Sequence, residues 1–198
     1  MKSNDEIIKE EMNRIPKSLD EITFAQFLKI KDWDGITYAE LVEKLLDIDF
    51  AEALDLVDTK LEAKDFLFFD GFLEFDPNKR PKYLKIENKK IKISIDLYND
   101  AKLGQIGELG KVYDKFEFDP KDKIQVFNEH CKHAIDICSI FLYAPFYDLE
   151  FNSDKYKVVE QKLLGCNYQK IIQLAFFLFL NYLESKRWRV GYRKILKE

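Results

Sequence analysis

Three segments near the start of the chain carry the same signal for the beginning of an α-helix. They are Thr23–Gln26, Thr37–Glu40 and Asp49–Glu52, in which a capping side chain is followed three residues later by Gln or Glu. In such a capping box the first side chain accepts a hydrogen bond from the backbone of the later residue, whose own side chain reaches back. Ile22 and Phe27 flank the first box as a hydrophobic staple. These local signals predict three short helices in the first third of the chain.

Helices are expected along most of the chain, because only 7 Gly and 5 Pro interrupt 198 residues. In chain order they are predicted at about 4–13, 24–32, 38–47, 50–62, 103–113, 122–143, 154–164 and 168–188. The sixth helix should end before Pro145, since a residue that precedes proline avoids the α conformation. The last contains the run Leu174–Leu180, which is apolar on every side. Such a helix belongs in the centre of a fold or in an oligomer interface.

A β-hairpin is predicted in the middle of the chain. Residues 82–86 and 91–95 alternate between polar and apolar side chains or carry β-branched ones, and the polar residues 87–90 separate them. Of the two strands, Lys92–Ile95 has the better strand pattern. A small sheet within a helical protein follows from this pattern.

The predicted fold class is therefore mainly α, a helical domain with a small β-hairpin insertion around residues 82–95. The length of 198 residues suits one domain. A subdivision into an N-terminal helical part, residues 1–65, and a hairpin plus C-terminal helical part, residues 66–198, is the alternative.

Charge and hydropathy exclude several classes of partner. The net charge of −4 gives no general attraction to nucleic acid or to anionic membrane surfaces. The longest apolar stretch, Ile171–Leu183, is interrupted by Gln173 and Asn181 and is shorter than the roughly 20 residues that cross a bilayer. The charged N-terminus lacks the apolar centre of a signal peptide. We expect an intracellular protein without membrane contact, and nucleic acid is not an expected partner.

The three cysteines, Cys131, Cys138 and Cys166, are an odd number without a CxxC pair. A disulfide framework needs an even set in an oxidising compartment, so reduced thiols are expected. Cys131 and Cys138 fall on one apolar stripe of their predicted helix, together with Ala134 and Phe141. We predict that both thiols act as small core side chains.

The only histidines, His130 and His133, lie three residues apart, so a helix brings them near one face with Glu129 beside them. A metal-using hydrolase centred on this pair is one hypothesis, but a closed zinc site needs four ligands. His130 and Cys131 point about 100° apart on a helix and form no direct catalytic pair. The sequence also lacks the glycine loops that bind phosphates and the GxSxG turn of hydrolases. We predict no enzyme, no catalytic residue, no metal and no cofactor.

Two segments are candidates for contact with a partner. Residues 66–75 hold five Phe around a Gly turn, and form either part of the core or an exposed aromatic surface. The basic C-terminus either complements a helix end or meets phosphates or an acidic partner. The candidate partner-binding residues are Phe66, Phe68, Phe69, Phe72, Phe75, Arg187, Trp188, Arg189 and Arg193.

The order of motifs resembles a family of phage proteins. Residues 15–27 match the opening P-x-S-x-x-E-I-T-x-x-Q-[FY] of small virion and assembly proteins of Bacteroidetes (crAss-like) tailed phages, which are similar to tail assembly chaperones. The hairpin at 82–95, the step Leu103–Gln105, the helix end Phe141–Pro145 and the Phe-rich Phe176–Phe179 follow in the order seen in that family.

The resemblance implies a non-enzymatic assembly or virion-associated structural protein that binds other phage tail or head proteins through apolar helical surfaces. Its expected location is the host cytoplasm during assembly, with retention in the virion and self-association left open. The competing hypothesis is a small intracellular regulatory binding protein that uses its basic C-terminus on nucleic acid.

Overall fold

A computed structural model describes residues 10, 12–31, 35–71, 79–94, 98–117 and 123–195. The chain divides into two compact units, Met1–Phe75 and Asp76–Glu198. As predicted, the fold is mainly α-helical with one small antiparallel hairpin. The helix predicted at about 4–13 lies almost wholly outside the described residues.

The first unit contains α1 (Phe24–Ile30), α2 (Tyr38–Leu46) and α3 (Phe50–Lys60). Short 3-10 turns cover Leu19–Glu21 and Ala63–Gly71. All three helices begin where the capping signals place them. Because a helix start depends on neighbouring residues in the sequence, it was predictable without knowledge of the fold.

The capping boxes have the expected hydrogen bonds. Thr37 Oγ1 accepts from the backbone N–H of Glu40 at 3.3 Å, and the Glu40 carboxylate accepts from the backbone N–H of Thr37 at 2.6 Å. Thr23 and Gln26 form the same reciprocal pair. The side chain of Asp49 accepts from the N–H of Glu52 at 2.9 Å. These bonds satisfy backbone donors that have no partner inside the helix.

The helices of the first unit bury their apolar stripes against one another. Phe24, Phe27 and Ile30 on α1 are 0–1% exposed, and α2 buries Leu41 and Val42 to the same degree. Burial of one such side chain stabilises the fold by about 1.5–3 kcal/mol. α2 ends at Asp47, which has the left-handed φ of 64° and whose N–H donates to the carbonyl of Glu43.

The described residues of the second unit form the hairpin and four α-helices. The strands are β1 (Tyr83–Ile86) and β2 (Lys89–Lys92). The helices are α4 (Leu103–Tyr113), α5 (Lys123–Tyr147), α6 (Glu160–Leu164) and α7 (Tyr168–Ile195). The predicted range of α4 is confirmed. The region predicted as one helix at 154–164 is instead a 3-10 turn at Tyr156–Val159 followed by α6.

The second strand of the hairpin starts and ends earlier than predicted. A two-residue connection, Glu87–Asn88, joins the strands, and Ile86 pairs with Lys89. β2 ends at Lys92. The expected strand at Lys92–Ile95 is therefore wrong at Ile93 and Ser94, which lie outside β2. Ile95 is not among the described residues. Glu87 takes a left-handed φ of 51°, a conformation that propensity rules do not assign to Glu.

α5 continues through Pro145, and the prediction that it ends at Tyr143 is wrong. The helix closes with a Schellman-type end, in which Asp148 has a φ of 55° and the N–H of Leu149 donates to the carbonyl of Ala144 at 3.1 Å. In this last turn the proline costs the helix only one hydrogen-bond donor, its own backbone nitrogen. The rings of Tyr143 and Tyr147 at the end of the helix still pack, with their centroids 5.4 Å apart.

α5 is the most deeply buried element of the second unit. Seven consecutive residues, Ile137–Tyr143, are buried. Because 3.6 residues complete a turn, every face of this segment is covered. Cys131, Ala134 and Cys138 are 0–1% exposed, which confirms that the two thiols are core side chains. Within the part of the chain that the structure describes, no helix is long and apolar enough to cross a membrane.

The capping boxes give a first test of the fold. Thr37→Ala should lower the free energy of unfolding by about 1 kcal/mol, because the N–H of Glu40 loses its acceptor. Urea unfolding followed by circular dichroism measures this change. Thr59→Ala is the control, since this exposed hydroxyl only donates to the carbonyl of Asp55 within α3, and we expect a change within about 0.5 kcal/mol. Equal losses in both variants would contradict the assigned role of Thr37.

Candidate interaction surface and the buried histidines

His130 lies inside a group of aromatic rings contributed by α7 and by the segment after α4. Its ring stacks on Phe176 at 4.3 Å and 13°, and meets Phe179 edge-on at 4.3 Å. Phe116 approaches at 5.1 Å and 89°. The side chain is fully buried. Offset and edge-to-face pairs of this kind add about 0.5–1.5 kcal/mol each beyond burial, so the imidazole contributes to the core as an aromatic ring.

His133 faces a more polar environment on the same helix. Its Nε2 lies 3.6 Å from Glu129, and its Nδ1 lies 3.5 Å from Asp136. Both distances are longer than a good hydrogen bond. The ring also stacks on Phe116 at 5.0 Å. The two histidines therefore share one aromatic neighbour, Phe116, without sharing a polar site.

No group of three His, Cys, Asp or Glu side chains that could hold a metal ion occurs among the described residues. Cys131 is buried, as expected for its place on the apolar stripe. The hypothesis of a metal-using hydrolase on His130 and His133 thus lacks a ligand set in that part of the chain.

The three cysteine side chains are buried. Burial raises the pKa of Cys138 well above its usual value. Burial, followed by the nearby charge of Glu87, raises the pKa of Cys166 to about 11. The thiolate is the nucleophilic form, so these two thiols are poor nucleophiles at neutral pH.

An acidic group that sequence analysis missed forms where α5 meets α6. Burial raises the pKa of Glu160, and the neighbouring Asp136 raises it further through its charge and a side-chain hydrogen bond. Burial and then the charge of Glu108 raise the pKa of the Tyr156 hydroxyl. Glu108 and Asp136 are distant in the sequence from Tyr156 and Glu160, and no local pattern predicts their meeting.

The predicted partner-binding residues fall into three groups. Phe66 and Phe69 are 3% and 1% exposed, and Phe66 stacks on Tyr38 at 4.6 Å, so both rings lie in the core of the first unit. The side chain of Phe68, and all of Phe72 and Phe75, lie outside the described part of the chain. For this segment, the prediction of a place in the core holds for Phe66 and Phe69. A partner would contact these two rings only if the segment moved away from the core.

The basic C-terminal candidates lie on the backbone of α7, which extends to Ile195 and not only to the predicted Trp188. The structure does not describe the side chains of these candidates, which are Arg187, Trp188, Arg189 and Arg193. Their contact with a partner stays a prediction.

An exposed apolar face on α3 was not among the sequence-based candidates. Phe50 and Leu54, one helical turn apart, are 45% and 41% exposed, and Val57 is half-buried beside them. On the neighbouring face, Ala53 and Leu56 are buried in the unit's own core. The apolar stripe of α3 is therefore wider than its own unit covers. An amphipathic pattern predicts the stripe from sequence, but only the fold shows which half of it is left uncovered.

A cleft of about 330 Å³ also opens in the first unit. Met12, Ile15, Pro16 and Leu61 supply apolar walls. Its polar lining consists of Lys17, Lys64 and Asp65. The volume is at the lower end of the range for ligand sites, and suits one large apolar side chain.

Comparison with protein-family models, with curated proteins and with solved structures finds no match to this chain. The resemblance to phage assembly proteins stays a prediction from the sequence motifs.

Glu160 provides a test with a defined pH dependence. Its folded-state pKa lies above the usual value near 4.5. The folded protein therefore binds this proton more tightly than the unfolded chain, and the stabilisation is lost as pH rises through the folded pKa. Glu160→Gln should be more stable than the natural chain at pH 7, with the difference shrinking towards pH 4.

Urea unfolding at a series of pH values measures this difference, and Asp154→Asn, at an exposed position of the same unit, is the control. A Glu160→Gln variant whose advantage is independent of pH would rule out the carboxyl of Glu160 as its source.

Proposed function

We propose that this chain is a non-enzymatic protein that binds other proteins through the exposed apolar face of α3. The observation that carries the proposal is the exposure of Phe50 and Leu54, which lie side by side next to the buried stripe of the same helix. Exposed apolar side chains that occur singly need no explanation, whereas a contiguous group on a rigid helix is typical of a binding face.

The energetics of this face suit a specific but releasable contact. Each of the two side chains is a little less than half exposed, so covering both yields about 2 kcal/mol of hydrophobic stabilisation. That corresponds to about 30-fold in affinity. A partner would gain the rest of its affinity from the surrounding surface.

The chemistry of the described residues supports binding over catalysis. Burial keeps Cys138 and Cys166 protonated at neutral pH. His130 is surrounded by aromatic rings. In the setting implied by the sequence motifs, the bound proteins are head or tail components of a tailed phage, and the chain acts while the particle is assembled.

Co-purification of the full-length tagged chain from its native source tests this function. Mass spectrometry of the retained proteins should identify phage head or tail proteins. The double variant Phe50→Ser/Leu54→Ser should retain them at least 10-fold less, because the apolar contact is lost. Circular dichroism should show that the variant is still folded, because neither side chain belongs to the buried core of the unit.

The matched control is Asp55→Ser/Thr59→Ser, which changes two exposed residues of α3 at the same spacing but away from the apolar face. Recovery equal to that of the natural chain is expected. The proposal fails if the two double variants behave alike, or if no structural protein of a phage is retained.

A further inference from the structure

A short part of the second unit is strongly basic in a chain that is acidic overall. Residues 79–92 contain seven basic side chains and one acidic one, Glu87, whereas the whole chain has a net charge of −4. The basic residues are Lys79, Arg80, Lys82, Lys85, Lys89, Lys90 and Lys92. The net charge of the chain therefore conceals a local surface of the opposite sign.

The hairpin places three of its lysines on one face. Leu84, Ile86 and Ile91 are buried, and the side chains that alternate with them point outward. The outward residues form what we call the basic hairpin face: Tyr83, Lys85, Lys90 and Lys92. All four are exposed.

The register brings two lysines of this face directly opposite each other. Lys85 pairs with Lys90, whereas Tyr83 pairs with Lys92. The N–H of Ile93 donates to the carbonyl of Lys82 at 3.0 Å, so these two residues form a hydrogen-bonded pair. Hydrogen-bonded and non-hydrogen-bonded pairs alternate along an antiparallel ladder. Both pairs of the basic hairpin face are therefore non-hydrogen-bonded, and their side chains lie close together. Like charges in such a position destabilise a hairpin. An anion bound between the lysines removes that repulsion.

The neighbouring acids of the described chain do not neutralise this face. Glu87 pairs with Lys162 of α6 at 2.6 Å. Asp148 pairs with Lys89, whose ammonium also donates to the carbonyl of Phe146. Among the described residues, no carboxylate lies within ion-pair distance of the three face lysines, Lys85, Lys90 and Lys92. Their charges face solvent.

An exposed aromatic ring lies among these cations. Tyr83 is 43% exposed, and Nζ of Lys90 lies 4.2 Å from its ring centroid. Proteins that bind single-stranded nucleic acid combine cations for the backbone phosphates with aromatic rings for the bases. The carboxylates of an acidic peptide would pair with the lysines, but such a peptide has no base that stacks on the ring of Tyr83. The combination favours nucleic acid as the ligand.

We propose that the basic hairpin face binds single-stranded nucleic acid, with Lys85, Lys90 and Lys92 contacting backbone phosphates and Tyr83 stacking on a base. This site is distinct from the α3 face and from the C-terminal basic residues. It extends the proposed function, because one chain would then contact both a protein and a nucleic acid.

Fluorescence anisotropy with the full-length protein and a labelled 20-nucleotide single strand of mixed sequence tests the proposal. Neutralising the three lysines in Lys85→Gln/Lys90→Gln/Lys92→Gln should weaken binding at least 10-fold at about 0.1 M salt. The slope of log affinity against log salt should fall by about 2, since each phosphate contact on a single strand contributes roughly 0.7.

The matched control is Lys60→Gln/Lys115→Gln/Lys155→Gln, which removes the same charge from exposed positions elsewhere. It should keep the affinity to within about 3-fold. Tyr83→Leu should weaken binding about 10-fold, within the range for one lost stack, without changing the salt slope, and Tyr83→Phe should restore it. Circular dichroism checks that every variant is folded.

Three results would overturn the proposal. The first is no binding of the oligonucleotide at 50 mM salt. The second is a hairpin triple variant that binds like the natural chain, above all if neutralising Arg187, Arg189 and Arg193 abolishes binding instead. The third is displacement of the oligonucleotide by an equal concentration of a poly-glutamate peptide of matched charge, which would assign the face to an acidic protein segment.

Discussion

The complete burial of the segment Ile137–Tyr143 in α5 is the constraint on which the second unit depends. From Ile137 to Tyr143 every face of the helix is covered, and α4, α6, α7 and the hairpin all contact it. Each apolar side chain in this segment contributes about 1.5–3 kcal/mol when fully buried. The apolar run of α7 predicted a place in the centre of the fold or in an oligomer interface. Leu174, Ala175 and Leu178 of this run are fully buried, whereas Leu180 is 40% exposed.

Local signals in the sequence predicted much of the fold. Capping boxes such as Thr37–Glu40 identified helix starts to the residue, because the interacting groups are three positions apart. The apolar stripe of α5 predicted the burial of Cys131 and Cys138. Local rules failed where tertiary packing or a turn determines the backbone conformation. Pro145 lies inside α5 because its last turn is held by the Schellman-type end, and Glu87 adopts a left-handed conformation at the hairpin turn.

The candidate sites were harder to predict than the fold, because each depends on what the folded chain leaves uncovered. Both halves of the α3 stripe are apolar, so the sequence does not show that Phe50 is exposed and Ala53 buried before the core is known. The pairing of Asp136 with Glu160 joins residues from two helices. By contrast, the alternation in the hairpin contains enough information to predict a basic face, once the strands are in the correct register.

The described residues present two exposed surfaces that suit contact with partners. An apolar helix face lies in the first unit and a basic hairpin face in the second, and each has its own chemistry of recognition. The most direct test of the central claim is a photo-cross-linking amino acid at Ala51, which is exposed next to Phe50 on α3, in the full-length chain within its native source. A protein-binding face on α3 predicts a covalent product with a second protein from Ala51 and none from the same probe at Thr59. Equal products from both positions, or none from Ala51, would contradict it.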